Sequence, residues 1–101
     1  MEEICRQLTQ LGMEVECPVE TMDPPFEDDV LFKGGPTFGE VAGDLVETKP
    51  AAIAWFCPRD KGVDAEAVIY PDGRAVWINR RTREAKTVSA SELPNFCRAL
   101  A

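Results

Sequence analysis

The chain has 101 residues, 45% of them apolar, and eighteen acidic against eleven basic side chains give a net charge of −7. That length suits one domain with one core, burying roughly two thirds of the surface its unfolded form exposes. The negative balance opposes direct binding to nucleic acid or an anionic membrane, no segment approaches the roughly 18 apolar residues of a membrane span, and "MEEICRQLTQ" lacks the features of a signal peptide, so a cytoplasmic protein is expected.

Ile4, Cys5, Leu8 and Leu11 recur at helical spacing and Gly12 follows as a C-terminal cap, predicting a first helix. The period then drops to two. Met13, Val15, Cys17 and Val19 alternate with Glu14, Glu16, Pro18 and Glu20, predicting a strand whose proline and glutamates mark it as a sheet edge. After an acidic loop, "VLFK" reads as a short strand and "GGP" as a turn. Thr37 and Glu40 match a capping box at the start of a second helix, with Phe38, Val41, Ala42, Leu45 and Val46 on its apolar side and Pro50 at its end.

"AAIAWFC", bounded by Pro50 and Pro58, reads as a central strand covered on both faces. "AEAVIY" and "RAVWIN" flank the hairpin turn Pro71-Asp72-Gly73, and a second turn through "RRTRE" leads to "AKTVS". Leu93, Phe96, Cys97 and Leu100 mark a C-terminal helix, capped by Ser91 so that Pro94 falls in its first turn. The expected fold is a single α+β domain over residues 1–101: a mostly antiparallel sheet of about five to six strands, ending in a meander, with helices packed on one face.

Chemistry is constrained mainly by what is missing. The absence of histidine removes the commonest general base, the Ser-His and Cys-His pairs and most catalytic zinc sites. Cys5, Cys17, Cys57 and Cys97 are widely spaced, which disfavours structural zinc and fits reduced thiols packed as small hydrophobes better than a disulfide framework. Cys57 precedes Pro58, with Arg59 and Lys61 nearby; the choice lies between a thiol activated by those cations and a core cysteine at a strand end. "FKGGPTFGE" resembles a phosphate-cradling junction in outline, but a turn plus a capping box explains its residues. No metal or cofactor is expected, and no enzymatic activity.

Charge is distributed unevenly. The first fifty residues hold twelve acids and three bases, and the remainder six acids and eight bases. Folding that keeps these halves on separate sides makes a dipolar molecule whose acidic side attracts basic partners. Glu14, Glu16 and Glu20 on the edge strand, with Asp23, Glu27, Asp28 and Asp29 in "DPPFEDD", are the candidate docking residues. Pro24 and Pro25 stiffen that loop and lower the entropic cost of binding; Phe26 is either an interface anchor inside the charged rim or a loop aromatic folded onto the core.

Arg80, Arg81, Arg83 and Lys86 form a second, basic candidate patch near a hairpin tip, one that the acidic half of another copy could meet in a head-to-tail homodimer. The expected function is a small acidic inhibitor or adaptor that occupies a basic surface of another protein. It is of the phage anti-defence kind, anti-CRISPR or anti-restriction, by analogy of size and charge alone. The alternative is a small-molecule or nucleotide-binding module whose pocket is lined by aromatics such as Trp55, Tyr70 or Trp77.

Overall fold

The computed structural model describes residues 2–19, 28–58 and 62–100. Helix α1 (Glu2–Gln10) turns at Gly12, whose φ of 96° favours glycine, into strand β1 (Glu14–Glu16). Helix α2 (Phe38–Ala42) runs on into a 3-10 turn, Gly43–Glu47. Strands β2 (Ala52–Phe56), β3 (Ala65–Ile69), β4 (Arg74–Asn79) and β5 (Glu84–Ser89) follow, and a second 3-10 turn, Ala90–Glu92, opens helix α3 (Leu93–Arg98). The strands form one antiparallel sheet in the order β1-β2-β3-β4-β5, giving the expected α+β fold with its C-terminal meander.

Strand register divides the side chains between two faces. Val15, Ala54, Ala67, Trp77 and Lys86 stand in one row across the sheet. This face meets Cys5 and Leu8 of α1 and Leu93 and Cys97 of α3. Five alanines line it: Ala52, Ala54, Ala65, Ala67 and Ala75. Alanine is a poor strand former, but its small side chain lets two helices lie close to the sheet at normal packing density. Trp77 fills the remaining space and stacks on Phe96 with ring centroids 5.6 Å apart, while the Lys86 ammonium lies 4.7 Å from the Phe96 ring centre.

The opposite face presents Val68, Tyr70, Val76 and Ile78 to Leu31, Phe38, Ala42 and Leu45. The helices are therefore split, α1 and α3 on one face and α2 on the other, where the sequence reading put them all on one. The reason lies in β3 and β4, whose successive residues are nearly all apolar, so that both sides of these strands need cover.

Three local expectations change for equally physical reasons. The strands buried on both faces are β3 and β4 and not β2, where Ile53 and Trp55 are only half-buried. "VLFK" forms a compact loop with a single bridge, Val30 to Thr37. The β1 ladder ends at Glu16, two residues before Pro18, which has no N–H to offer a ladder. Thr37 does cap α2, its Oγ1 accepting the Glu40 N–H at 3.2 Å, whereas the Ser91 hydroxyl pairs with Ser89 at 2.9 Å and leaves α3 without a side-chain cap.

The alanine face predicts a sharp size limit. Ala67→Leu, which inserts bulk between the sheet and the two helices, is expected to destabilise the fold by about 1–3 kcal/mol in urea unfolding; an unchanged midpoint would show that the helices do not rest on this row.

Candidate functional site

Among the described residues, only half of the α2 face is covered. Two cross-strand rows run over it, Glu14-Trp55-Glu66-Ile78-Ala85 and Glu16-Ile53-Val68-Val76-Thr87. Helix α2 lies over the β4 and β5 end, where the Thr87 hydroxyl donates to the Val41 carbonyl at 2.7 Å. Toward β1 each row passes through half-buried Ile53 or Trp55 to exposed Glu16 or Glu14. The face thus grades from packed core to a charged edge.

Residues 28–37 border the uncovered half. The Phe38 N–H donates to the Asp29 carbonyl at 2.7 Å and the Leu31 N–H to the Pro36 carbonyl at 3.1 Å, closing a tight loop. Its turn needs glycine at position 35, where a Cβ would run into the Phe32 ring. Arg80 fastens this loop to the sheet: its guanidinium donates to the Leu31 carbonyl and, at 2.8 Å, to Glu66 on β3. The backbone N–H of Arg80 is itself held by the Asp64 carbonyl at 2.8 Å. Outside the loop stands Val30, 60% exposed, the exposed large hydrophobic among the described residues.

Of the acidic docking candidates, Glu20, Asp23, Phe26 and Glu27 lie outside the described residues, as do Pro24 and Pro25. Glu14 and Glu16 project from β1 on the α2 face, Asp29 lines a groove on that face beside Glu66, and Asp28 borders α2 with Glu40. All four are exposed, and none has a basic partner among the described residues. Two other acids from the first fifty residues are paired. Glu3 meets Arg6 one helical turn away, and Asp44 lies 3.0 Å from Arg74, which also holds Asp72 at 2.7 Å. Hydrogen bonds from Arg74 keep both the Asp44 and Asp72 carboxyls below the ordinary carboxylate range.

The basic candidates diverge. Arg80 turns to the α2 face, Arg81 reaches the Leu100 carbonyl at 3.0 Å, Lys86 meets Glu84 at 3.0 Å beneath Phe96, and Arg83 is exposed with a positive φ of 59°. Arg80 and Arg81 are matched with Glu66 and, at 3.9 Å, Asp64, both from the C-terminal half, so the acids on β1 and in the loop stay uncompensated by them. Sequence reading missed this tethering role; a cluster of arginines carries no signal of which carbonyl each will reach.

Trp77 and Tyr70 are buried, and the Tyr70 hydroxyl has no hydrogen-bond partner among the described residues; burial pushes its pKa up to about 12. Among the described residues no disulfide is formed. Cys5 and Cys97 are buried, Cys57 is half-buried and Cys17 is exposed. Burial and a hydrogen bond with the Cys17 thiol push Cys5 up to about 12, and burial pushes Cys97 up to about 11. Arg59 and Lys61, the cations expected near Cys57, lie outside the described residues. The chain matches no protein-family model, no curated protein and no solved structure.

Two measurements follow from this geometry. Arg80→Met leaves the Leu31 carbonyl and the mostly covered Glu66 carboxylate without their donor, and is expected to cost about 1–3 kcal/mol and to speed amide exchange at Leu31 and Phe38; unchanged exchange would show that the loop holds without the arginine. Iodoacetamide at mildly alkaline pH should label Cys17 before Cys5 and Cys97, because the buried thiols hold almost no thiolate. Peptide mass spectrometry reads the order, and early labelling of Cys97 would contradict its burial.

Proposed function

We propose that this chain is a small, non-enzymatic protein-binding protein that occupies a basic surface of another protein and acts there as an inhibitor or adaptor. The observation that carries the reading is the placement of Glu14, Glu16, Asp28 and Asp29. All four are exposed and lack basic partners among the described residues; Glu14, Glu16 and Asp29 stand on the side of the sheet face that α2 does not reach, with exposed Val30 and half-buried Trp55, and Asp28 stands beside α2. Uncompensated carboxylates steer cationic partners inward, and the apolar residues between them provide the desolvated contact that holds an interface together.

Among the described residues no helix is long and apolar enough to cross a membrane, and a cytoplasmic setting belongs to the same proposal. Small size and net negative charge match the phage anti-defence inhibitors of restriction and CRISPR machinery by analogy. The alternative, a pocket lined by aromatics, is weakened because Trp77 and Tyr70 are core residues.

Capture of partners from the native host at low and high salt tests the reading. Asp28→Lys with Asp29→Lys is expected to abolish capture while circular dichroism stays unchanged, and wild-type capture should fall steeply as salt rises. Capture that survives both the charge reversal and high salt would overturn the acidic docking surface.

A further inference from the structure

Between the loop of residues 28–37 and the sheet, the α2 face holds a groove of about 330 Å³. Val30, Phe38, Ile53, Val68 and Ile78 supply its apolar walls, and Asp29, Glu66 and Arg80 its charges. Arg80 and Glu66 satisfy each other at 2.8 Å, and the other arm of the guanidinium is taken by the Leu31 carbonyl. The Asp29 backbone carbonyl is likewise occupied, by the Phe38 N–H, while its exposed carboxylate meets no cation among the described residues. One unbalanced negative charge therefore stands at the rim of an apolar slot.

That combination suits a long cation with a hydrocarbon stem. Arginine fits better than lysine because its guanidinium is more weakly hydrated and meets a carboxylate with two parallel N–H groups, while its methylenes pack on apolar walls. The neighbouring row sets a second requirement. Glu66 at the groove, Trp55 and Glu14 lie side by side on β3, β2 and β1, and two strand spacings separate Glu66 from Glu14 by about 10 Å. A polyproline-II segment covers about 9 Å in three residues and turns its side chains to the same side at every third position. Trp55, between the two positions, offers a half-buried indole face against which a cationic side chain can lie.

We propose that the groove is an anchor slot for an arginine of the partner, and that the partner presents an Arg-x-x-Arg segment in polyproline-II conformation, the first arginine in the groove against Asp29 and the second over Trp55 toward Glu14. The inference rests on the docking reading above and sharpens it to one side chain and one spacing.

The probe is an acetylated, amidated peptide of sequence Gly-Arg-Gly-Gly-Arg-Gly, compared by NMR titration at low salt with the same peptide carrying citrulline, the neutral isostere, at both positions. The arginine peptide is expected to shift the resonances of Val30, Ile53 and Trp55, with the citrulline peptide leaving them in place. Asp29→Asn, a change at an exposed side chain, should weaken binding by about two- to fivefold, and Glu14→Gln should weaken the two-arginine peptide but leave a one-arginine version unaffected. Equal binding of the citrulline peptide would overturn the cation slot. Binding that ignores Asp29→Asn and maps to Glu14 and Glu16 alone would overturn the groove while sparing the acidic docking surface. No binding of either peptide, together with loss of salt-dependent partner capture, would remove both.

Discussion

One guanidinium fixes the geometry on which the uncovered face depends. Arg80 stands at the end of β4, yet it reaches across to the Leu31 carbonyl and the Glu66 carboxylate. It thereby joins a loop from the first third of the chain to the middle strand of the sheet. Without that link, Asp28, Asp29 and Val30 would be placed by the bridge from Val30 to Thr37, the backbone hydrogen bonds of Leu31 and Phe38, and the packing of Leu31 on the sheet. A mostly covered carboxylate and a backbone carbonyl sharing one planar donor is a strong arrangement, because charge-assisted hydrogen bonds exceed neutral ones and each acceptor would be costly to leave unpaired. The residue that looks like surface charge in the sequence is part of the scaffold.

The unequal treatment of the two faces follows from side-chain size. On one side, alanines on β2, β3 and β4 allow α1 and α3 to lie close together over the sheet, so that face is filled. On the other, larger residues on β3 and β4 take up a short α2, five residues and a 3-10 turn, which is too small to span five strands. The part left over falls on β1 and β2. There the chain places glutamates at the edge and half-buried Ile53 and Trp55 beside them, a gradient from dry to charged of the kind that interfaces use.

Much of this was legible in the residues. Period-two patterning located β1, the Pro71-Asp72-Gly73 turn located the β3 and β4 hairpin, and Thr37 announced the start of α2 through a cap that forms as expected. What failed was long-range. "AAIAWFC" reads as a doubly covered strand because alanine counts as apolar, yet Ile53 and Trp55 stay half exposed, since cover depends on where a distant helix lands. "VLFK" has strand composition, but its Leu31 carbonyl is claimed by an arginine 49 positions away and the Leu31 N–H by Pro36, so no ladder extends from it. For the acidic site, exposure at an edge could be read from Pro18 and alternating glutamates, whereas the groove could not, because its walls come from five separate segments.

The carboxylates of β1 have a second consequence. β1 lies at the border of the sheet, where unpaired backbone groups invite another strand to add on, and like charges on a three-residue ribbon discourage this. Glu14 and Glu16 therefore guard against self-stacking as well as facing outward to a visitor. A bound cation that cancels their charge would lift that guard, so the charge on the border strand and the tendency of bare molecules to join sheet to sheet are two readings of one electrostatic barrier.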